Sequence, residues 1–140
     1  QYYDSVIATE LSKTSVRAAQ HNIVKNGVTN IQLIRLSAEE VSEAMRGDRE
    51  FRRLQSLPKP LAEYALDTIF VDPPRAGLDS DTLDMVAGFD TILYISCNPD
   101  TLAENLSALH HSHRISAFAL FDQFPYTHHM ECGVRLSRRS

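Results

Sequence analysis

The apolar residues of the chain follow two kinds of pattern: short continuous runs, and stretches in which they recur every three or four positions. Runs of the first kind predict strands, and stretches of the second kind predict helices. In the first half, the runs at 5–10 and 31–36 are each followed by a stretch with helical spacing. A Ser-x-x-Glu pattern at 37–40 is typical of a capping box at the start of a helix. The first half therefore predicts the order strand, helix, strand, helix.

The second half repeats this order and then departs from it. Between 47 and 67 the pattern weakens, and prolines and charges predict a helical turn within a surface loop. Further strands are predicted at 68–71 and 91–97, each followed by helical spacing. Both runs are continuously apolar, which is typical of strands buried on both faces. The final strands, 114–124 and 130–137, have no helical stretch between them, so we expect them to be antiparallel.

Alternating strands and helices predict an α/β fold. The expected sheet is mostly parallel, covered by helices on both faces, with an antiparallel strand pair at its C-terminal end. A chain of 140 residues suits one domain with a proper core, so we expect a single domain over 1–140. The sequence begins without Met and enters an apolar run almost at once, which we interpret as a piece of a longer protein.

Cysteine content and charge narrow the class of protein. Cys97 and Cys132 are too few for a disulfide framework, and no apolar run is long enough to span a membrane. We therefore expect a cytoplasmic protein with no membrane partner. The net charge of −4 argues against nucleic-acid binding through general positive charge, so an RNA partner would need local basic patches or a further domain.

Chemically capable residues follow three of the predicted strands. In an open α/β sheet, ligands bind beyond the carboxyl ends of the strands, and Glu10, Asp72 and Cys97 stand at that edge. An acid at the position of Glu10 can accept hydrogen bonds from the ribose hydroxyls of a nucleotide. It can equally interact with the positive end of the helix that follows. The spacing favours neither interpretation of Glu10.

The segment VDPPR places Asp72 and Arg75 around two prolines. Proline fixes φ and has no N–H, so this backbone is stiff and cannot continue a strand ladder. A stiff loop can hold the Asp72 carboxylate and the Arg75 guanidinium against a planar polar ligand such as a base edge. The alternative is an ordinary turn between strand and helix, in which Asp-Pro is common.

Cys97 lies where a buried strand passes into a helix. Asn98 is a favoured N-cap and Pro99 a favoured first helical residue, so the helix is expected to begin directly after the cysteine. A thiol at this position faces the positive end of the helix dipole, which favours the nucleophilic thiolate. The alternative is a buried, inert cysteine at a strand end.

Glu131 lies in the last predicted strand between two apolar residues, Met130 and Cys132. A carboxylate among apolar neighbours is expected to be partly buried, as is typical of a general base. The alternative is a strand acid that faces solvent. By alternation, either Glu131 or its two neighbours must point away from the core.

Histidine and basic clusters offer further chemistry. The histidines fit no familiar zinc spacing, so no metal site is predicted; they are His110, His111, His113, His128 and His129. Contacts with phosphates and a solvated surface remain alternatives for the basic residues. These are Arg46, Arg49, Arg52, Arg53 and Lys59 in the irregular segment, and Arg135, Arg138 and Arg139 near the end.

Three motifs in a fixed order resemble the C-terminal catalytic half of the tRNA uracil-5-methyltransferases, which make thymine in the T-loop of tRNA. They are VDPPRAGLD, YISCNPDTL and FDQFPYTHHMECG, and the resemblance runs from VIATE to GVRLS. It implies a Rossmann-like class I S-adenosylmethionine-dependent methyltransferase sheet. It also implies tRNA as the partner, with transfer-messenger RNA as a further candidate, and no metal.

The resemblance implies a role for each candidate residue. Cys97 corresponds to the nucleophile that adds to C6 of uracil, after which C5 takes the methyl group of S-adenosylmethionine. Glu131 corresponds to the base that removes the C5 proton. Glu10 and Asp72 correspond to the acids that hold the cofactor, and Arg75 is assigned to the substrate side of the pocket.

The chain departs from this family by lacking the first strand and the Gly-rich loop, which should precede SVIATE together with an RNA-binding region. The missing strand would lie centrally, between the strand ending at Glu10 and the strand ending at Asp72. We therefore expect a sheet in two parts, or a strand supplied by another copy. The isolated chain is expected to bind the cofactor weakly and to be inactive.

Two other functions remain open. Asp-Pro-Pro loops also position exocyclic amines, so an amino-group methyltransferase is one alternative; it would need no nucleophilic Cys97. The other alternative is a non-catalytic α/β module that docks on RNA or on a protein.

Overall fold

The computed structural model describes residues 2–127 and 129–140. The chain forms two compact units, the first ending at Tyr64 and the second beginning at Ala65. Each unit has its own sheet, with two strands in the first and four in the second. The α/β class is confirmed, and the expected sheet in two parts is observed.

The first unit is a βαβα arrangement. Its elements are β1 (Val6–Thr9), α1 (Lys13–Lys25), β2 (Ile31–Ile34) and α2 (Ala38–Arg46), followed by short 3-10 helices at Arg52–Ser56 and Leu61–Glu63. β1 and β2 pair in parallel, with Val6 opposite Ile31. The predicted capping box is confirmed, because the Ser37 hydroxyl accepts from the N–H of Glu40 while the Glu40 carboxylate accepts from the N–H of Ser37.

The buried core of the first unit is small. It consists of four side chains, Ile34, Leu36, Phe51 and Leu57. Helix α1 buries none of its residues, although its apolar residues have the predicted spacing along one face. The irregular segment after α2 contributes half of the buried side chains, which explains why a charged and proline-interrupted stretch stays against this unit.

The second unit has a four-stranded sheet in the order β3-β4-β6-β5. Its elements are β3 (Thr68–Val71), α3 (Ser80–Val86), β4 (Thr91–Ser96), α4 (Pro99–Leu109), β5 (His113–Phe121) and β6 (Glu131–Arg138). β3 and β4 are parallel, and β6 pairs antiparallel with both β4 and β5. The predicted antiparallel final pair is therefore confirmed, although β5 ends at Phe121 rather than at residue 124.

Burial alternates along the two central strands of this sheet. Every second residue of β4, from Ile92 to Ser96, and of β6, from Cys132 to Leu136, is buried. These side chains form one core with residues of α3 and α4, including Val86 and Leu102. The prediction that both apolar runs are buried on both faces is wrong: Phe70 of β3 is 63% exposed. Phe70 pairs with Leu93, so it lies on the face outside this core.

Candidate active site at the strand ends of the second unit

The register between β4 and β6 determines which side chains meet where these strands end. Ser96 pairs with Cys132, the last pair of the ladder. Cys97 follows β4 directly, in the bend before α4, and Glu131 is the first residue of β6. The predicted nucleophile and the predicted base thus both adjoin this last pair of the ladder.

Alternation along β6 places Glu131 on the face opposite the core. Ser96 and Cys132 are 3% and 2% exposed, respectively. Glu131 consequently points away from Cys132, and both Cys97 and Glu131 are half-buried. Burial, together with the nearby charge of Glu131, raises the pKa of the Cys132 thiol. The two cysteines thus have different environments, and the accessible thiol is the one at the helix entrance.

The N-terminus of α4 has the predicted capping geometry. The Asn98 side-chain oxygen accepts from the N–H of Asp100 at 3.2 Å, and Pro99 is the first helical residue. The Ser96 hydroxyl accepts from the N–H of Asn98 at 3.1 Å and donates to its carbonyl at 3.0 Å. The backbone on both sides of Cys97 is therefore held by side-chain hydrogen bonds, and the prediction that the helix starts directly after Cys97 is confirmed.

The loop that follows β3 is fastened to this same helix start. The carbonyl oxygen of Arg75 accepts two hydrogen bonds, from the Asn98 amide at 2.9 Å and from the Thr101 hydroxyl at 3.1 Å. Asn98 therefore caps α4 with its oxygen and holds the Asp-Pro-Pro loop with its nitrogen. The sequence predicts Asn98 as a cap but carries no signal for its contact with the Arg75 carbonyl oxygen.

A buried asparagine fastens the far end of the loop. Asn105 of α4 is 8% exposed, and its oxygen accepts from the N–H of Leu78 at 2.8 Å and from the Tyr94 hydroxyl at 2.7 Å. Its nitrogen donates to the carbonyl of Leu78 at 3.3 Å. Gly77 has a φ of +78°, and a Cβ there would lie 2.7 Å from the Asn105 oxygen. Only glycine fits this position without displacing the asparagine.

The Arg75 side chain links the loop to the segment before β6. Its Nη1 lies 3.2 Å from Nδ1 of His129, which stands two residues before Glu131. Arg75 thus contacts the start of α4 through its carbonyl oxygen and the approach to Glu131 through its guanidinium. The family resemblance implies a place for Arg75 on the substrate side of the pocket, but the sequence does not predict that Arg75 connects the start of α4 with the segment before Glu131.

Asp72 directly follows β3 in the second unit. Val71 pairs with Tyr94, so the register continued by one residue places Asp72 beside Ile95. Tyr94 is buried in the core, and alternation therefore directs Asp72 and Ile95 to the other face. The Asp72 side chain is exposed and follows the strand directly, as predicted.

Glu10 belongs to the first unit and has a local partner. Its Oε1 accepts from the N–H of Ser12, the N-cap of α1, at 2.7 Å. This contact supports the interpretation in which the acid interacts with the helix start. Glu10 remains half-exposed. Its role toward ribose hydroxyls stays a prediction.

The histidine and arginine clusters have structural roles. His113 is fully buried, with Nε2 2.8 Å from the carbonyl oxygen of Phe89. Arg138 donates to Asp90 and to carbonyls near the end of α3, and Arg139 donates to the carbonyl of His110 at the end of α4. Within the described residues no group of three or more His, Cys, Asp or Glu side chains is arranged to hold a metal; His128 lies outside them.

The basic residues of the irregular segment also have partners within the chain. Arg53 pairs with Glu40 and donates to the carbonyl of Arg35. The Lys59 ammonium lies over the Tyr64 ring at 4.5 Å. These contacts give Arg53 and Lys59 structural roles, and phosphate binding by the basic residues stays a prediction. Among the described helices, none is long and apolar enough to cross a membrane.

Comparison with known proteins agrees with these motifs. Residues 1–139 match the family model described as tRNA (Uracil-5-)-methyltransferase. The tRNA/tmRNA (uracil-C(5))-methyltransferase of Vibrio parahaemolyticus is 59% identical over 140 residues, which are 100% of this chain and 38% of that protein. The protein of the same name from Edwardsiella ictaluri is 61% identical over 137 residues, 98% of this chain and 37% of that protein. The chain thus spans well under half the length of these relatives.

Solved structures give the same result for the fold. A Pyrococcus abyssi tRNA (uracil-54, C5)-methyltransferase in complex with S-adenosyl-L-homocysteine has a TM-score of 0.72 and 28% identity, covering 94% of this chain and 28% of that one. An rRNA methylase from Streptococcus thermophilus, with a TM-score of 0.58 and 10% identity over 97% of this chain and 74% of that one, shares the fold alone. The fold is that of the class I S-adenosylmethionine-dependent methyltransferases, and the chain belongs to the tRNA (uracil-5-)-methyltransferase family.

Proposed function

We propose that this chain carries the catalytic centre for methylation of uracil C5 in the T-loop of tRNA. The observation that supports the proposal is the β4–β6 ladder: Cys97, at the start of α4, and Glu131 adjoin its last pair, Ser96–Cys132, in a chain of this family. The Vibrio parahaemolyticus and Edwardsiella ictaluri relatives are named for both tRNA and tmRNA, so transfer-messenger RNA is proposed as a second substrate. We place the activity in the cytoplasm and assign residues 1–140 to one partial catalytic domain.

The chemistry follows from the two side chains. C5 of uracil is a weak nucleophile, and covalent addition to the ring overcomes this weakness. The Cys97 thiolate forms a bond to C6, which shifts the electron pair of the C5=C6 double bond onto C5. When bound, S-adenosylmethionine supplies the methyl group that C5 takes up. Glu131 then accepts the C5 proton, the C5=C6 double bond reforms, and the C6–S bond breaks to return the Cys97 thiolate.

The cofactor roles rest on two exposed or half-exposed acids. Asp72 follows β3 in the second unit, and Glu10 follows β1 in the first unit. Carboxylate oxygens accept hydrogen bonds, which suits ribose hydroxyls and amino groups of S-adenosylmethionine. Arg75 is proposed to face the RNA, since its guanidinium is exposed beside the segment that leads to Glu131. We propose that the isolated chain binds the cofactor weakly and is inactive.

The test uses a polypeptide of the relatives' full length that contains this chain, with T-arm RNA carrying 5-fluorouridine at the target position. Fluorine leaves no C5 proton for Glu131 to remove, so the covalent adduct should persist through a denaturing gel. We expect Cys97→Ala to abolish the adduct and methyl transfer to normal RNA. Cys132→Ala is the matched control and should form the adduct, because that thiol is buried on the other face.

Two results would contradict the proposal. Methyl transfer that survives in Cys97→Ala would indicate amino-group chemistry, which needs no nucleophilic thiol. RNA binding by the unsubstituted protein without any methyl transfer or adduct would indicate a docking module. The nucleoside product also distinguishes uracil C5 methylation from amino-group methylation, because only uracil C5 chemistry yields ribothymidine.

A further inference from the structure

The segment between β5 and β6 presents aromatic side chains that the proposed chemistry does not use. The Tyr126 ring is completely exposed, at 105% of its reference area, and Phe124 is 45% exposed. The Phe124 ring meets the His129 ring edge to face, with centroids 6.2 Å apart. We call Phe124, Tyr126 and His129 the aromatic turn.

Hydrogen bonds fix the backbone around Tyr126. The Thr127 hydroxyl donates to the carbonyl of Phe124 at 2.7 Å, and the Thr127 N–H donates to the same oxygen at 3.2 Å. The same hydroxyl accepts from the N–H of His129 at 3.1 Å. The residues on either side of Tyr126 are thus tied together, whereas the described chain leaves the Tyr126 ring uncovered.

The conformation of Tyr126 is unfavourable for a tyrosine. Its φ is +67°, and among the described residues it is the one non-glycine residue with positive φ. A bulky side chain is unfavourable in the left-handed region, and no packing of the ring within the described chain offsets this. A strained residue with an uncovered ring does not stabilise the fold, which points to a ring presented to a partner.

The position of the aromatic turn beside the candidate active site indicates which kind of partner it contacts. His129 contacts Arg75 and precedes Glu131 by two residues, and both Glu131 and Cys97 adjoin the Ser96–Cys132 pair. Four residues lie between Tyr126 and Glu131 in the chain, so their Cα atoms are at most about 18 Å apart. Tyr126 therefore belongs to the segment that leads directly to the proposed base, without being part of the reacting pair.

We propose that Tyr126 stacks on an unpaired nucleobase that flanks the target uracil. This inference rests on the proposed function. An enzyme that acts on a base must take it out of its stack, which also exposes the faces of neighbouring bases. Proteins recognise such single-stranded bases by stacking them on aromatic rings. The chain has a net charge of −4, so contacts that do not depend on charge are particularly useful here.

The test compares two substitutions in the full-length polypeptide that contains this chain. Tyr126→Phe keeps the ring and serves as the matched control. Tyr126→Asn removes the ring but suits the left-handed backbone, so its thermal stability should equal or exceed that of the unsubstituted protein. The probe is a T-arm hairpin with 2-aminopurine at the unpaired positions next to the target uridine, because stacking quenches its fluorescence.

We expect quenching with the unsubstituted protein and with Tyr126→Phe, and loss of quenching with Tyr126→Asn. The Kd of Tyr126→Asn for the hairpin should rise about tenfold, the effect of one lost base stack. The slope of log K against log salt should stay the same, since stacking releases no counterions. A slope smaller by about one would assign a phosphate contact instead and overturn the inference.

Three further results would test the stacking role of Tyr126 and the proposed function separately. Hairpin binding by Tyr126→Asn within twofold of the unsubstituted protein, or equal weakening in Tyr126→Phe, would overturn the stacking role. Quenching that depends on the ring, in a protein that forms no Cys97 adduct, would contradict the proposed function and leave the stacking site standing. The two proposals can therefore fail separately.

Discussion

The two units hold their strand-end residues in different ways. In the second unit, the backbone next to Cys97 and the Asp-Pro-Pro loop are fastened to α4 by Asn98, Thr101 and Asn105. In the first unit, the Glu10 carboxylate contacts the N–H of Ser12, two residues further along. The unit that contains the proposed nucleophile and base is therefore the one in which long-range polar contacts hold the strand-end segments in place.

The helices of the two units also differ in how many of their side chains are buried. Helix α4 buries Leu102, Asn105 and Leu109, whereas α1 buries none of its residues. A helix with a buried face is anchored by packing, and a helix without one depends on its caps and intrinsic propensity. The second unit therefore has the firmer scaffold for placing reactive groups.

The largest expected effect separates the two candidate acids. Glu131→Gln removes the proposed base, so kcat should fall about 10²–10⁴-fold, and the methylated RNA should remain attached to Cys97. Glu10→Gln, the matched change in the first unit, should raise KM for S-adenosylmethionine without trapping an adduct. Single-turnover methyl transfer and denaturing gels measure both. A trapped adduct in Glu10→Gln would reverse the assignment of the acids.

The next prediction tests the packing difference between the two helices. Leu102→Ala removes a buried side chain that is 3% exposed, and should lower the free energy of unfolding by about 2–5 kcal/mol. Ile23→Ala in α1 removes a half-buried side chain and should cost about 1 kcal/mol. Urea denaturation provides both values. Equal losses would show that α1 is anchored as firmly as α4.

A third prediction concerns pH and the buried tyrosine. Burial raises the pKa of Tyr94 to about 12, with a smaller opposing effect from a backbone hydrogen bond with Leu78. A raised folded-state pKa gives stability that is complete below the unfolded value near 10 and is lost as pH rises toward about 12. The loss should be about 2–3 kcal/mol. Tyr94→Phe should remove most of this alkaline dependence; an unchanged profile would contradict the assignment.

The smallest expected effects come from the helix caps. The Asp79 carboxylate accepts from the N–H and hydroxyl of Thr82, which lowers its pKa below the usual 3.8. Its contribution is therefore present above that value and is lost as pH falls through the lowered folded-state pKa. Asp79→Ala should cost about 1 kcal/mol at neutral pH and less at pH 3.

Ser12→Ala provides the comparison in the first unit. The Ser12 hydroxyl accepts from the N–H of Ser15 at 3.3 Å, a longer contact, so the loss should be about 0.5 kcal/mol and independent of acid pH. Thermal unfolding of both cap variants at pH 3 and pH 7 measures the contrast. An acid dependence in Ser12→Ala equal to that of Asp79→Ala would contradict it.

The sequence predicts much of the local structure because its signals are local. The order of strands and helices, the capping box at Ser37 and the helix start after Cys97 depend on residues within a few positions of one another, and all three are observed. The placement of Cys97 and Glu131 beside one ladder pair, Ser96–Cys132, depends on the strand register. The sequence alone does not fix this register, because the segment between the two strands contains a helix, another strand and two connections.

Other features escape prediction for related reasons. Asn105 interrupts the apolar stripe of α4, a signal that could have drawn attention to it, but its partner Leu78 lies 27 residues away. A continuous apolar run such as 68–71 has the same pattern whether one or both faces are covered, so the exposure of Phe70 could not be derived from it. Long-range contacts, rather than local preferences, decide both cases.

The β4–β6 ladder also limits how the chain can change in length. Because side chains alternate between faces, a single residue inserted into either strand beside the Ser96–Cys132 pair would turn Glu131 or Cys97 toward the buried helices. Insertions and deletions among homologous sequences should therefore be absent from the two strands.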